Sequence, residues 1–349
     1  MKKIEIFLKN ILLRLLLIWG SKKKHIQNVP ISNILLIRLN RIGDALVTTP
    51  FINQLRNNFE GKIYLLASKS NFFVFNNNPS LDEVIIFNKG LKSFIDVINF
   101  VNKKNINTII DLHDDVSTTV SFILALCNAK NKFGLEKNNN LIYTKTVPKL
   151  NSSQNHVVKR NLEILKLLNI QPDFDNAKIF FYPSQDSYKK VDDFLAKNFN
   201  RKKFLVGINI SAGSMARFWG INNFKLLLNY LYHLDLEIIL LSAPENFELA
   251  NQITDRQIIF SSKNYEEFGA IISKLNLLIT PDTAAVHLAS AFNVPVFGIY
   301  VKYKTHDMIW SPLGCKFDCV ITTEPNLKNV SYPEVKNKLE MFLKKILIN

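Results

Sequence analysis

Three short segments carry side chains whose types and spacing suit the handling of an anion and a proton. The first is Thr280-Pro281-Asp282-Thr283-Ala284-Ala285-Val286-His287-Leu288-Ala289. Asp282 or Thr283 can cap a helix there, and the four-residue spacing of Thr283 and His287 puts a hydroxyl and an imidazole on one helical face. A helix N-terminus offers free N–H groups and partial positive charge, which suits a phosphate. A plain capped helix with a solvated histidine fits the same residues. The second segment is Asn40-Arg41-Ile42-Gly43-Asp44-Ala45-Leu46, a tight glycine turn into a helix. Gly43 permits close backbone approach or a positive φ. Asp44 falls in the first helical turn, where the dipole favours its anion, and can serve there as a general base or simply as a cap. The third is Ser211-Ala212-Gly213-Ser214-Met215-Ala216-Arg217-Phe218-Trp219. Small residues let backbone N–H groups reach an anion, and Arg217 can bind a diphosphate bidentately. Trp219 reads as a packing residue.

Each segment must be held by the elements around it. Apolar runs precede all three: Ile34-Leu35-Leu36-Ile37, Leu205-Val206-Gly207-Ile208 and Leu275-Asn276-Leu277-Leu278-Ile279, each of the kind that forms a buried parallel strand. In the N-terminal half, strands are expected near 34–39, 63–67, 84–87 and 107–112, alternating with helical stretches near 44–57, 91–103 and 116–126. A helix near 154–168 closes this half and a polar linker spans 171–186. In the C-terminal half, strands are expected near 205–210, 237–242, 257–260, 276–280 and 295–300, and an amphipathic helix from Pro333 to Leu347 ends the chain. Such alternation implies two α/β halves with parallel sheets and crossover helices. Ligands of such sheets bind beyond the strands' carboxyl ends, where all three segments fall. Asp111-Leu112-His113-Asp114-Asp115 has metal-ligand residue types, but a strand end followed by a helix cap accounts for it better.

The ordered set of motifs resembles the bacterial heptosyltransferases, glycosyltransferases that add heptose to lipopolysaccharide core. Arg38 to Asp44 with Thr48-Thr49-Pro50 matches the family's opening Arg-x-x-x-Ile-Gly-Asp turn and Thr-Pro helix. Ser211 to Trp219 matches its middle loop, and Asp282 to Ala289 its Asp-Thr-x-x-x-His-Leu-Ala signature. Lesser matches lie at Ile109 to His113, His156 to Leu162, Pro244-Glu245 and Trp310 to Gly314, so the likeness runs over roughly residues 30–320.

The resemblance implies a GT-B fold, an α/β architecture of two Rossmann-like domains with parallel sheets facing a central cleft. With the residue patterns it divides the chain into a basic amphipathic N-terminal helix (1–28), an acceptor-side domain (29–170), a linker (171–186), a nucleotide-sugar domain (187–330) and a C-terminal helix (331–349). It also implies inverting, metal-independent transfer from an ADP-heptose-like donor to a glycolipid acceptor, with no cofactor. Asp44 corresponds to the family's proposed base, with Arg41 and Gly43 on the acceptor side. Ser211, Gly213, Ser214, Arg217, Asp282, Thr283, Ala284 and His287 correspond to the donor site. Glu245 can hydrogen-bond the donor ribose or be a surface cap. Arg217 stands where the family usually has lysine, which keeps the charge and changes its geometry. Ala284 stands where many members have glycine, which reduces backbone freedom beside the phosphates. A related transferase using another nucleotide sugar, for capsule, O-chain or protein glycosylation, fits the same motifs. So does a non-catalytic homologue that binds sugar nucleotides.

Composition agrees. The chain has 349 residues, 47% of them hydrophobic, enough for two cores, and a formal net charge of +15. That charge suits an anionic partner, and without any nucleic-acid-binding motif a membrane bearing phosphorylated glycolipid fits better than nucleic acid. Cys127, Cys315 and Cys319 form no metal pattern and fit reduced thiols of a cytoplasmic protein. At the N-terminus Ile4, Phe7, Leu8, Ile11, Leu12, Leu15, Leu16, Ile18 and Trp19 make a wide apolar face, followed by Lys22-Lys23-Lys24. The run is interrupted by Arg14 and is too short to span a bilayer; no small-x-small cleavage site follows. An interfacial helix on the anionic inner face of the cytoplasmic membrane is expected, with packing on the protein's own surface as the alternative.

Overall fold

The computed structural model describes residues 30–200, 203–211, 213–254, 258–302 and 310–347. The expected N-terminal helix over residues 1–28 lies outside the described residues. The chain divides into two compact units between Ala177 and Lys178, inside the polar stretch 171–186.

The first unit contains β1 (Asn33–Arg38), α1 (Ile42–Leu46), α2 (Thr49–Asn57), β2 (Lys62–Ser68), β3 (Glu83–Phe87) and α3 (Leu91–Lys103). It continues with β4 (Thr108–Asp111), α4 (Thr118–Leu126), β5 (Asn131–Leu135), β6 (Lys145–Val147) and α5 (Val157–Leu162), the last prolonged as a 3-10 helix over Glu163–Leu168. All neighbouring strands are parallel, in the order β3-β2-β1-β4-β5-β6. Ile34, Leu35, Leu36 and Ile37 of β1 are all fully buried, as a strand covered on both faces requires. Leu35 and Ile37 join Tyr64, Val97, Val101 and Ile123 in one core cluster.

The second unit contains α6 (Gln185–Asn198), β7 (Phe204–Asn209), α7 (Ile221–Tyr232), β8 (Leu236–Ser242), α8 (Phe247–Ile253) and β9 (Ile259–Ser261). There follow α9 (Tyr265–Ile272), β10 (Leu277–Pro281), α10 (Ala285–Ala291), β11 (Val296–Val301), β12 (Phe317–Thr322) and α11 (Tyr332–Leu347). Its strands are also parallel, ordered β12-β11-β10-β7-β8-β9. Counted within the unit this is the same order as the first sheet, read from the other edge. Each unit therefore repeats the doubly wound pattern in which strand order reverses beside the first strand. The terminal helix α11 buries Val335, Leu339, Phe342 and Leu343 in this unit's core, with Val206, Ile279 and Phe297. Trp219 is core as well. Its indole Nε1 donates to the Val330 carbonyl at 2.8 Å, and its ring meets Phe224 edge-on at 5.5 Å.

The helix expected over 44–57 is two helices, for a local reason. Pro50 has no N–H to give the Leu46 carbonyl and its ring crowds that position. The Thr49 hydroxyl donates to the Leu46 carbonyl instead, at 2.7 Å, and the Thr48 hydroxyl donates to the Asp44 carbonyl at 2.8 Å. Gly43 lies inside α1 and is absent from the positive-φ glycines, so no left-handed turn occurs there. Three strands, β5, β6 and β12, were not expected. Their sequences, NKFGL, KTV and FDCVIT, are short and broken by polar residues. β6 and β12 lie at sheet edges, where no continuous apolar run is needed. Among the described residues, no helix is long and apolar enough to cross a membrane.

Candidate active site

The order of each sheet puts its switch point beside its first strand, between β1 and β4 in the first unit and between β7 and β10 in the second. The segments singled out by residue type leave the carboxyl ends of these strands.

In the first unit, β1 ends in Arg38 and the chain turns through Arg41 and Gly43 to Asp44. Arg41 is exposed at the N-cap of α1 and its carbonyl accepts the Ala45 amide at 3.1 Å. The Asp44 carboxylate is 19% exposed and pairs through Oδ1 with Arg38 Nη2 at 3.1 Å. Arg38 is fully buried. Its Nε donates to the Asp44 carbonyl at 3.0 Å and its Nη1 to the Leu112 carbonyl, so one guanidinium spans the switch point.

Across that point, the end of β4 carries a buried polar network. Asp111 Oδ1 lies 2.6 Å from His113 Nδ1, and Asp111 Oδ2 accepts from Lys137 Nζ at 2.7 Å and from the Tyr143 hydroxyl at 2.6 Å. His113 Nε2 accepts the Leu39 amide at 3.0 Å. That bond requires an unprotonated Nε2, so the imidazole is neutral and Nδ1–H donates to Asp111. Burial lowers the His113 pKa and outweighs the Asp111 charge beside it. Burial opposes ionisation of Asp111, but His113 and Lys137 outweigh it and hold the carboxyl below the usual carboxylate range. Asp114 is gripped by Arg160, with Nε to Oδ1 at 3.0 Å, and by Lys149 at 3.0 Å. The acidic segment after β4 is thus held by cations of the protein, and Ser117, not an aspartate, caps α4. Among the described residues no group of three His, Cys, Asp or Glu side chains is arranged for a metal ion.

In the second unit, Asn209 organises the switch point. It is buried at the end of β7; its Nδ2 donates to the Ser211 carbonyl and to Thr280 Oγ1, and its Oδ1 accepts the Ser211 amide. The Ser211 hydroxyl accepts from the Ala243 amide at 2.6 Å and from Asn246 Nδ2 at 3.1 Å, tying the β7 loop to the loop after β8. With both lone pairs engaged, Ser211 can only donate to a further partner. Gly213 and Ser214 are exposed; a short 3-10 turn over Met215–Arg217 then sets Arg217. Arg217 Nη2 lies 3.5 Å from Asp282 Oδ2, and the buried Arg217 Nε has no hydrogen-bond partner. Burial pushes the Asp282 carboxyl above its usual range, and Arg217 opposes this. Glu245 is exposed in the 3-10 turn Pro244–Asn246 after β8.

The helical-face reading of Thr283 and His287 is corrected by the structure. Helix α10 begins at Ala285 with Ala284 as N-cap, so Thr283 precedes it. Thr283 Oγ1 accepts the Ala285 amide at 3.2 Å, and Asp282 turns instead to Arg217. His287 is buried rather than solvated, its ring centroid 5.9 Å from that of Trp310. Sequence reasoning gave no role to Arg38, His113, Lys137, Tyr143 and Asn209. Arg38 left a signal as a charge closing an apolar strand, and His113 as a member of the Asp111–Asp115 run; Lys137, Tyr143 and Asn209 left none.

A family model described as glycosyltransferase family 9 (heptosyltransferase) matches residues 97–340, well over half of the chain. Lipopolysaccharide heptosyltransferase 3 of Escherichia coli is 25% identical over 289 residues, 77% of this chain and 83% of that protein. The lipopolysaccharide core heptosyltransferase OpsX of Haemophilus influenzae is 28% identical over 127 residues, 34% of this chain and 35% of that protein. Among solved structures, a glycosyl transferase family 9 protein of Veillonella parvula superposes with a TM-score of 0.80 at 18% identity, covering 91% of this chain and 99% of that one. The E. coli heptosyltransferase WaaC, solved with ADP, gives a TM-score of 0.67 at 17% identity over 91% and 100% of the two chains. At these identities the structural likeness speaks for the fold, the two-unit GT-B architecture.

Proposed function

The chain belongs to glycosyltransferase family 9, the heptosyltransferases, and from that premise we propose that it moves a heptose from an ADP-heptose-like donor to a lipopolysaccharide core or related glycolipid. The observation that carries this reading is the convergence of Arg217 and Asp282 from the two loops flanking the second unit's switch point, at 3.5 Å. A guanidinium there, with an unpartnered Nε, suits a nucleotide diphosphate.

The division of labour follows from the side chains. The second unit holds the donor. Arg217 and the hydroxyls of Ser211, Ser214 and Thr283 meet the diphosphate, the open backbone at Gly213 lets it approach, and Ala284 and His287 stand beside it. Exposed Glu245 reaches the ribose hydroxyls. The first unit activates the acceptor, with Arg41 and Gly43 beside Asp44. Asp44 takes the proton of the acceptor hydroxyl as its oxygen bonds to the anomeric carbon. The bond from that carbon to the phosphate oxygen breaks on the opposite face, configuration inverts, and the nucleoside diphosphate leaves. Arg217 stabilises the charge that grows on the leaving group, the work a preorganised cation does in a transition state. Residues 1–24 bring this chemistry to an anionic membrane surface on the cytoplasmic side, where the glycolipid is presented.

The test is to incubate the full chain with ADP-heptose and a lipopolysaccharide core lacking an outer heptose. Mass spectrometry of the glycolipid should show one added heptose. A panel of other nucleotide sugars run in parallel separates donors. Failure to bind any nucleotide sugar would remove the donor-site reading, and turnover of a different sugar alone would reassign the donor.

A further inference from the structure

We infer that Arg38 is a positioning residue for Asp44, fixing the rotamer of that carboxylate so that Oδ2 alone faces the acceptor proton. The inference rests on the reading of Asp44 as the base. Arg38 takes hold of Asp44 twice, through Nε to its main-chain carbonyl at 3.0 Å and through Nη2 to Oδ1 at 3.1 Å. The third contact, Nη1 to the Leu112 carbonyl, anchors the guanidinium on the loop after β4. A buried cation is tolerated only when paired, and among the described residues Asp44 supplies the one carboxylate in contact with this one. Both ends of Arg38 are therefore determined, the Cα by β1 and the guanidinium by the β4 loop.

The backbone around it is equally constrained. Asn71 Nδ2 donates to the carbonyls of Arg38 and Asn40, at 3.1 and 2.7 Å. His113 takes the Leu39 amide at 3.0 Å, and Ile37 accepts the Leu112 amide at 3.2 Å. The carbonyls of Ile37, Arg38 and Asn40 and the amide of Leu39 thus end on buried side chains or on the residue after β4. A carboxylate 19% exposed, with one oxygen occupied by a fully buried guanidinium, presents a single oxygen in a set direction. A reacting group displaced by about 1 Å costs roughly a hundredfold in rate. A lysine at this position has one ammonium and cannot form the paired contacts of the planar fork.

The test compares Arg38→Lys, Arg38→Ala and Asp44→Asn in the full chain, with nucleotide affinity and melting temperature as folding controls. In Arg38→Lys, kcat should fall by about a hundredfold while KM for donor and acceptor stays within about threefold. Added guanidinium at millimolar concentration should restore part of the rate of Arg38→Ala and none of that of Asp44→Asn. A merely structural arginine would give neither the kcat-only loss nor the selective rescue. If Arg38→Lys keeps its kcat while Asp44→Asn is inactive, the positioning role is wrong and the base stands. If Asp44→Asn turns over normally, the base reading itself falls. Should Arg38→Ala not fold, the kinetics of Arg38→Lys decide alone.

Discussion

Arg217 and Asp282 stand on loops that follow β7 and β10, 65 positions being bridged by a single contact of 3.5 Å between Nη2 and Oδ2. The pair is loose and Arg217 is 32% exposed, so the guanidinium is able to turn toward a diphosphate without a large loss. Replacing Arg217 by alanine should weaken nucleoside diphosphate binding by about 1.5–3 kcal/mol, roughly ten- to a hundredfold, and slow turnover. Lysine should recover much of the affinity, since the charge returns without the fork. Calorimetric titration with ADP checks both variants, and an alanine variant with unchanged affinity would place Arg217 outside the donor site.

Asp44→Asn should abolish transfer and leave nucleotide affinity within a few-fold. A base acts on the proton in transit and does not hold the donor. The amide keeps the shape of the side chain and can still face Arg38, so loss of fold would not account for the loss of rate. Near wild-type turnover would reduce Asp44 to a first-turn residue of α1.

The buried network at the end of β4 makes the first unit sensitive to acid. The Asp111 pKa is depressed in the folded state, so below about pH 4 the unfolded chain binds the extra proton and stability falls as pH drops. Buried neutral His113 acts in the same direction, beginning near the ordinary histidine pKa of about 6.5. Asp111→Asn leaves Lys137, only 3% exposed, without its carboxylate, which should cost on the order of 3–5 kcal/mol at pH 7. That difference should shrink as pH falls below about 4, because the unfolded wild type then takes up a proton that folded Asp111 refuses. Urea unfolding at pH 7, 5 and 2.5 measures it; a deficit constant across that range would argue against the ion pairs as its source.

Much of this arrangement was legible from residue order. The apolar runs of β1, β7 and β10 are long because both faces are covered, and each ends where a polar segment begins, so the strand ends and their chemistry could be read together. The edge strands β6 and β12 left no such run. The break between α1 and α2 was written in Thr48-Thr49-Pro50, but reading it required seeing that threonine hydroxyls replace the missing proline N–H. What sequence could not give is partnership over distance. Arg38 reaches the β4 loop 74 positions away, Lys137 reaches Asp111 across 26, and Asn209 meets Thr280 across 71. These pairs exist only because the strand order brings β1 beside β4, β4 beside β5 and β7 beside β10. The Thr283–His287 spacing misled for the opposite reason, since a period of four has meaning only once both residues are inside the helix.

The remaining prediction concerns the N-terminal segment. Deleting residues 1–24 should release the protein from anionic vesicles and leave transfer to a soluble acceptor analogue intact. The residues of the proposed site begin at Arg38, beyond the polar stretch Lys22 to Asn28, and the first described strand starts at Asn33. Cations near an anionic surface contribute about 1 kcal/mol each, and the apolar face of Ile4, Leu8, Leu12 and Leu15 adds burial in the headgroup region. Salt screens the first contribution and not the second. Binding of the full chain should therefore weaken as salt rises without vanishing, and it should fall on vesicles made only of neutral lipid. Co-sedimentation with vesicles of graded charge reads both effects. Equal binding by the full and shortened chains would mean that these residues pack on the protein itself, in which case the deletion should instead lower the melting temperature.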